Sequence, residues 1–244
     1  MVPTALLIPG NMCDARLWQG GDGALAAALA ARGLDVIHAD TTRDAMIPAM
    51  AARAIAATPG QLLPIGFSMG ANVAIELARI APRRIAGLVL SSFNAGADRP
   101  ERAAMRPAQQ ARVAEGGLAE LVVAELKPTY LAANSATNDP SLKKLLLDMA
   151  IDLGPDVFLA QSEALRVRFD GREVLAAVDA PVLMLVGDED SLCPPSHHRA
   201  VAAATRSATL AVVAGAGHML PLEQPCAFAD TIAAWLDHHP EVFA

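Results

Sequence analysis

A serine between two closely spaced glycines has the clearest chemical meaning of any residue pattern in this chain. Ser68 lies within Gly66–Gly70 (GFSMG), which fits the pattern G-x-S-x-G. The apolar run Leu62–Ile65 precedes this segment and is typical of a buried strand, and Ala71–Leu77 follows it with the composition of a helix. On such a sharp strand-to-helix turn the hydroxyl is exposed at a helix N-terminus, and flanking side chains larger than glycine would clash. The pattern predicts Ser68 as a nucleophile.

A serine hydroxyl needs a neighbouring base to take its proton, and histidine is the usual base. His218 lies in Gly215–Met219, between the last predicted strand and the last predicted helix, which places it at the same edge of a parallel sheet as Ser68. We therefore predict His218 as the base. The other histidines are predicted to be packed, surface-exposed or on a solvated helix face: His38, His197, His198, His238 and His239.

The base in turn needs a carboxylate to orient its ring. The loop after the strand Val182–Val186 contains Asp188, Glu189 and Asp190. We predict Asp190, because it is far enough along the loop to turn towards His218, whereas Asp188 is typical of a turn or a helix cap. Asp98 is a weaker alternative. The chain order of serine, aspartate and histidine is the one described for hydrolases with this strand-to-helix serine.

Backbone N–H groups must stabilise the oxyanion that forms when a serine attacks a carbonyl carbon. Met69, the residue after the nucleophile, is predicted to supply one of them. The second is predicted to come from the loop after the first strand, where Gly10 permits close approach of the backbone and either Asn11 or Met12 supplies the N–H. Asn11 is the preferred donor of the two.

Short apolar runs alternate with alanine-rich helical runs along the chain, which predicts a parallel sheet flanked by helices. The runs do not alternate in polarity, as expected for strands covered on both faces. The predicted strands are Thr4–Ile8, Leu34–His38, Leu62–Phe67, Ile85–Leu90, Val182–Val186 and Thr209–Val213. The predicted helices between them are Gly23–Arg32, Asp44–Ala57, Met69–Ile80, Ser196–Ala204 and Gln224–His238.

One long interval, residues 94–177, contains no good strand pattern and predicts a helical cap inserted before the penultimate strand, with 1–93 and 178–244 forming the core domain. Its predicted helices are Arg99–Glu115, Leu118–Leu126, Ser141–Leu153 and Asp156–Arg166. Such an insertion would lie over the carboxyl ends of the strands, where ligands bind. The candidates for contact with substrate are Met12, Leu121, Leu126, Tyr130, Met149, Phe158, Arg166 and Arg168. Packing of the apolar candidates and surface ion pairs of the arginines are the alternative interpretations.

Composition excludes several classes of protein. Hydrophobic residues make up 53% and charged residues 18% of the 244 residues, which excludes extended disorder. The net charge of −7 disfavours a nucleic-acid partner. No apolar run approaches the roughly 20 residues that cross a bilayer, so we expect no membrane association and a cytoplasmic location. The three cysteines lack metal-ligand spacing, and we expect them to be reduced, with no bound metal or cofactor.

Four segments, LLIPGNMCDARLW, GFSMG, VLMLVGDEDSLCPP and GAGHMLPLEQP, resemble in order and spacing the α/β-hydrolase superfamily, especially small bacterial esterases and enol-lactonases with a helical lid. The resemblance implies Ser68 as nucleophile, His218 as base, Asp190 as acid, and Asn11 with Met69 as oxyanion donors. Two departures stand out. Pro9–Gly10 replaces the usual His-Gly pair, and the first strand corresponds to the third of the family fold, which leaves about six parallel strands.

These features predict a serine hydrolase that cleaves a small or medium acyl ester, thioester or lactone through an acyl-enzyme. Two alternatives stay open. The same three residues serve carbon–carbon bond hydrolysis, perhydrolysis or a lyase step in other members of the fold, because a fold does not determine its reaction. A binding protein that has lost turnover is the other alternative. A homo-oligomer is compatible with the sequence.

Overall fold

A computed structural model of the chain describes residues 2–126, 129–132 and 139–243, with the side chain of Leu126 excluded. Six parallel strands form one sheet in the order β2-β1-β3-β4-β5-β6. The strands are β1 (Thr4–Ile8), β2 (Val36–His38), β3 (Leu62–Phe67), β4 (Leu88–Ser91), β5 (Val182–Gly187) and β6 (Ala208–Val213). This is the α/β architecture that the sequence predicts.

Ten α-helices flank or cap this sheet within the described residues. They are α1 (Gly20–Ala30), α2 (Ile47–Ala57), α3 (Met69–Ile80), α4 (Pro100–Ala114), α5 (Leu118–Leu121), α6 (Pro140–Arg166), α7 (Arg172–Ala176), α8 (Pro195–Ala204), α9 (Leu220–Glu223) and α10 (Pro225–His238). Short irregular turns of helix occupy Ala15–Trp18, Pro82–Arg84, Val122–Leu126 and Pro240–Phe243. No helix among the described residues is long and apolar enough to cross a bilayer.

Two apolar cores cover the two faces of the sheet, because successive side chains of a strand point to opposite faces. Leu7 of β1 and Ile65 of β3 belong to one core, which α1 and α10 cover. Leu6 and Leu62 belong to the other core, which α2 and α3 cover. Burial on both faces explains why the strands read as continuous apolar runs.

The helices between β4 and β5 form a third, smaller apolar cluster that includes Val113 of α4, Leu121 of α5 and Phe158 of α6. The sequence predicts two helices over the last part of this segment, Ser141–Leu153 and Asp156–Arg166, and α6 indeed consists of two helical stretches that meet at the non-helical Gly154. Gly154 produces a kink inside α6, with φ 81° and ψ 176°, a conformation that only glycine adopts easily. Helices α7 and α9 are too short to be recognised from a hydrophobic pattern.

Two strands begin more than one residue away from the predicted position. β2 begins at Val36 rather than Leu34, and β4 begins at Leu88 rather than Ile85. Ile85 forms an isolated bridge with Leu62 before the regular ladder resumes at Leu88. The loops that carry the predicted chemistry are unaffected, since they follow the carboxyl ends of β1, β3, β5 and β6.

Candidate active site

Ser68 occupies a strained turn between β3 and α3. Its backbone has φ 52° and ψ −112°, and it lies directly before the first residue of α3. A β-carbon on Gly66 would lie 2.6 Å from the carbonyl oxygen of Gly70, and one on Gly70 would lie 2.0 Å from that of Ile8. Both glycines are therefore required for the close packing of the turn against α3 and β1. The turn presents the Ser68 hydroxyl at the carboxyl edge of the sheet.

His218 lies next to Ser68, on the loop that follows β6. Its Nε2 atom is 3.1 Å from Ser68 Oγ, and the residue is only 2% exposed. Its backbone N–H donates to the carbonyl oxygen of Tyr130 at 2.9 Å. The buried carboxylate of Glu223 accepts from the backbone N–H groups of Gly217 and Met219, both at 3.0 Å. The imidazole is thus held by backbone contacts on both sides of the residue.

Asp190 completes a hydrogen-bonded chain of three side chains. Its Oδ2 atom is 3.0 Å from Nδ1 of His218, and its Oδ1 atom accepts from the backbone N–H groups of Leu192 and Cys193 at 3.0 and 2.8 Å. Burial alone would raise the pKa of Asp190, but the neighbouring His218 and the N–H donor of Cys193 hold it below its usual value. The carboxylate is therefore ionised and fixed in orientation.

The pKa of His218 moves in the opposite direction. Burial alone would lower it, but the charge of Asp190 and its hydrogen bond outweigh burial and raise the pKa above the usual histidine value. A raised pKa means that the ring accepts a proton more readily, which suits a base that must deprotonate a hydroxyl.

The other candidate acids lie elsewhere. Asp188 is exposed and accepts a hydrogen bond from the backbone N–H of Gly215 at 2.8 Å, which fits the turn role predicted for it. The buried carboxylate of Asp98 is occupied by two arginines, Arg106 at 2.6 Å and Arg168 at 3.0 Å. Among these acids, Asp190 is the one that contacts His218.

His198 differs from the prediction of a solvated position. It is 1% exposed and bridges two loops at the sheet edge. Its Nε2 atom accepts from the backbone N–H of Phe93 at 3.1 Å, and its Nδ1 atom lies 3.3 Å from the carbonyl oxygen of Pro194. Burial lowers its pKa to about 4, so the ring is neutral at neutral pH. His198 thereby connects the loop after β4 to the loop that carries Asp190.

The loop after β1 lies beside Ser68, since a β-carbon on Gly10 would lie 3.3 Å from that of Ser68. Met12 has φ 53°, and its N–H donates to Oε1 of Gln161 at 2.8 Å, so it is already occupied. The same Oε1 atom accepts from Nδ2 of Asn11 at 3.2 Å. Asn11, Met69 and Ser68 line one cavity. The N–H of Met12 therefore has an acceptor within the protein in this conformation, and Asn11 and Met69 stay the predicted oxyanion donors.

A cavity of about 420 Å³ opens beside Ser68. Of the predicted substrate contacts, Tyr130 and Arg168 line it. Arg168 is held by Asp98 and by the carbonyl oxygen of Gly96 at 2.9 Å, and its side chain is 7% exposed, so its ion pair is buried rather than on the surface. Arg166 pairs with Glu163 on the surface.

Met12, Met149 and Phe158 do not line this cavity, so their prediction as substrate contacts is corrected. Met12 and Phe158 lie in the small apolar cluster of the helical segment, and Met149 is fully buried against the core that α1 and α10 cover. Leu121 is likewise buried in the small cluster, and the side chain of Leu126 lies outside the described residues. These apolar side chains are packed in the interior instead of facing the cavity, whereas Met105 and Leu165, which are not among the predicted contacts, do line it.

Comparisons with known proteins agree with this fold. Residues 38–225 match the family model Hydrolase_4, described as serine aminopeptidase, S33. The chain is 30% identical over 194 residues to a pimeloyl-[acyl-carrier protein] methyl ester esterase of Serratia marcescens, covering 76% of this chain and 74% of that one. It is 27% identical over 234 residues to the biotin biosynthesis bifunctional protein BioHC of Cellvibrio japonicus, covering 91% of this chain but only 45% of that one.

Solved structures show the same fold. A thermophilic esterase from Thermogutta terrifontis superposes with a TM-score of 0.85 at 26% identity, over 99% of this chain and 91% of that one. An enol-lactonase from Burkholderia xenovorans LB400 superposes with a TM-score of 0.82 at 20% identity, over 97% and 92%. The chain belongs to the serine aminopeptidase S33 family of α/β-hydrolases.

Proposed function

We propose that the chain is a serine hydrolase that cleaves a small or medium acyl ester, thioester or lactone through an acyl-enzyme. Ser68 is the nucleophile, His218 the base and Asp190 the carboxylate that orients it. The observation that carries this proposal is the continuous chain of hydrogen bonds between these residues, with 3.1 Å from Ser68 Oγ to His218 Nε2 and 3.0 Å from His218 Nδ1 to Asp190 Oδ2.

The reaction follows from this arrangement. His218 Nε2 takes the proton of Ser68 as Oγ attacks the carbonyl carbon, and Asp190 stabilises the imidazolium that forms. The N–H groups of Met69 and Asn11 donate to the carbonyl oxygen as it gains negative charge, helped by the N-terminus of α3. His218 then gives its proton to the leaving oxygen or sulfur. A water molecule, deprotonated by the same ring, hydrolyses the acyl-enzyme and releases the acid.

The cavity favours an acyl ester over an aminoacyl amide, although the family takes its name from an aminopeptidase. An aminopeptidase must bind a protonated α-amino group, which calls for a carboxylate in the site. The cavity is lined by four arginines and two carboxylates, and Asp98 and Glu125 are both paired with arginines. The surplus of positive charge repels an ammonium group.

Labelling with a fluorophosphonate, followed by peptide mapping, tests the nucleophile. We expect modification of Ser68 alone and turnover of 4-nitrophenyl butyrate that is lost in Ser68→Ala and His218→Ala. Ser92→Ala is a matched control, because Ser92 also has a positive φ of 49° but its hydroxyl is buried away from His218. Leucine 4-nitroanilide should not be cleaved above background.

Labelling at another residue, or turnover that persists in Ser68→Ala, would exclude this mechanism. Turnover restricted to a carbon–carbon substrate or to perhydrolysis would keep the three residues but change the reaction. The cytoplasmic location and the oligomeric state stay predictions from the sequence.

A further inference from the structure

Helix α4 presents a row of arginines to the cavity that holds Ser68. Arg99, which directly precedes the helix, and Arg102 and Arg106 within it all line the cavity. Their spacing of three and four residues places them on successive turns of one helix face. An arginine row on the wall of a cavity is unexpected in a chain whose net charge is −7.

The residues that the structure describes neutralise the positive charge of this row only in part. Arg106 contacts Asp98 through its Nε atom at 2.6 Å, and neither terminal nitrogen has a partner among the described residues. The other oxygen of Asp98 is taken by Arg168. Two guanidinium groups therefore share one carboxylate, which leaves a net positive charge in a largely buried place, since the side chain of Arg106 is 13% exposed.

Arg102 and Arg99 add to this charge at the rim of the cavity. Arg102 makes no ion pair or side-chain hydrogen bond with any described residue, and Arg99 contacts the ring of His197 at 3.2 Å. The carboxylate of Glu125, which also lines the cavity, is already paired with Arg112 and accepts from Gln109 at 2.9 Å. No described carboxylate in the cavity is left to balance Arg102 and the terminal nitrogens of Arg106.

A largely buried guanidinium such as that of Arg106, which must share its carboxylate with a second arginine, is costly, and guanidinium groups with free terminal nitrogens match the two oxygens of an oxyacid anion. Arg102 is exposed at the rim of the same cavity. We propose that the substrate carries a carboxylate or phosphate group away from the bond that is cleaved, and that Arg102 and Arg106 bind this anionic group. The inference rests on the proposed function for the identity of the cleaved bond. It assigns the arginines to substrate selection rather than to the reaction at Ser68.

Binding to the Ser68→Ala protein tests the anion site without any turnover. Calorimetric titration with monomethyl glutarate and with methyl pentanoate compares two esters that differ only in a terminal carboxylate or methyl group. We expect the charged ester to bind at least about 10-fold more tightly, as charge-assisted hydrogen bonds predict. The pair 4-acetoxyphenyl phosphate and phenyl acetate makes the same comparison for a phosphate and identifies which anion is preferred.

Adding Arg102→Gln to this protein should remove most of the difference between the charged and neutral esters, and Arg102→Lys should restore part of it. Arg83→Gln is the matched control, because Arg83 is exposed in the turn before β4, at the opposite edge of the sheet, and loses the same charge. Equal binding of charged and neutral esters, or an equal loss from Arg102→Gln and Arg83→Gln, would overturn the proposal.

Failure of the anion site and failure of the proposed function give different results. If Ser68 is not labelled by the fluorophosphonate, the hydrolase mechanism is wrong, but the titrations still report on the arginines. If Ser68 is labelled and neutral esters are cleaved, while the titrations show no preference for an anion, only the inference about the substrate is wrong.

Discussion

The loops at the carboxyl edge of the sheet differ from the helices between β4 and β5 in how completely their polar side chains are paired. At the sheet edge, Ser68, Asp190 and His218 each have specific hydrogen-bond partners and lie over the two large apolar cores. The helical segment has only a small apolar cluster of its own, and Arg102 and Arg106 on its cavity side have donors without a partner among the described residues. The polar side chains at the sheet edge have their hydrogen-bond partners without a ligand, whereas the two arginines of the helical segment have donors left for one.

This difference separates two properties of the enzyme. The rate of the chemical step depends on groups that are already fixed before a substrate arrives, which is the condition for strong electrostatic stabilisation. The choice of substrate depends on groups whose partners the substrate must provide. Substitutions at the sheet edge should therefore change kcat, and substitutions on the arginine row should change KM for charged substrates.

The largest effect in this comparison is expected from Asp190→Asn. The amide keeps the size of the side chain but does not stabilise the imidazolium and favours the wrong tautomer of His218, so we expect kcat to fall by about 10⁴-fold. Asp188→Asn is the matched control, because Asp188 lies two residues earlier in the loop, is exposed, and its side chain forms a hydrogen bond only with the backbone of Gly215 among the described residues. Similar losses in both variants would contradict the role of Asp190.

The same variant should change the pH dependence of turnover. His218 acts as a base only when neutral, so activity rises as the pH rises through its pKa. In the native protein Asp190 raises that pKa. In Asp190→Asn the negative charge that raises the pKa of His218 is lost, while burial, which lowers this pKa, remains. The rise of kcat/KM on the acid side of the pH profile should therefore shift to lower pH. An unchanged rise would show that another group controls it.

A smaller effect is expected from Gln161→Leu, at the junction of the two regions. Gln161 lies on α6, accepts from the N–H of Met12 and from Asn11, and donates to the carbonyl oxygen of Thr41 at 3.1 Å. Leucine leaves the buried N–H of Met12 without an acceptor and frees the loop that carries the second oxyanion donor. We expect kcat to fall by about 10- to 100-fold with little change in KM.

Ser162→Ala provides the control for Gln161→Leu. Ser162 is the next residue on α6, is also buried, and accepts from Gln110 at 3.2 Å without contacting the oxyanion loop. It should retain kcat within about 3-fold. If the two variants lose stability and activity in parallel, Gln161 supports only the packing of α6.

The smallest effect on turnover is expected from His198→Gln, whose main consequence is for stability against acid. The pKa of His198 is about 4 in the folded protein and near 6.5 when unfolded, so the unfolded chain binds more protons between these values. Its contribution is complete above about pH 6.5 and is lost as the pH falls towards 4, by about 3 kcal/mol in total.

Glutamine can accept from Phe93 and donate to Pro194 without titrating in this range. The Tm of His198→Gln should therefore fall less steeply than that of the native protein between about pH 6.5 and about pH 4. His197→Gln, at the neighbouring half-buried position, should follow the native curve. Parallel curves for the native protein and His198→Gln would exclude His198 as the origin of the acid sensitivity.

The parts of the fold that the sequence predicts well are those in which burial and turn chemistry act together. β1, β3 and α3 have the predicted bounds, because apolar runs end at glycines that the packing of the turn requires. The helical segment is predicted less well. Its apolar residues are consistent both with packing and with substrate contact, and periodicity does not distinguish between them.

The polar residues that support the site have weaker sequence patterns. Gln161 accepts the N–H of Met12, which lies 149 residues away in the sequence. Nothing in the sequence around Gln161 distinguishes it from an exposed glutamine on a helix. His198 is predicted from the sequence to lie on a solvated helix face, but the side that each residue of a helix faces is decided by tertiary packing. Glu223 could have been predicted from its position five residues after His218, since a nearby carboxylate can accept hydrogen bonds from the N–H groups of a tight loop.

The carbonyl oxygen of Tyr130 accepts hydrogen bonds from the backbone N–H groups of both His218 and Met219, at 2.9 and 3.1 Å. The N–H of Ala132 in turn donates to the carboxylate of Glu223 at 2.8 Å. Residues 129–132 belong to the segment between β4 and β5, so this segment holds the loop of His218 in place through backbone hydrogen bonds. A chimaera that exchanges the segment for that of another hydrolase must keep these backbone contacts, or a change intended for selectivity will also misplace the proton acceptor.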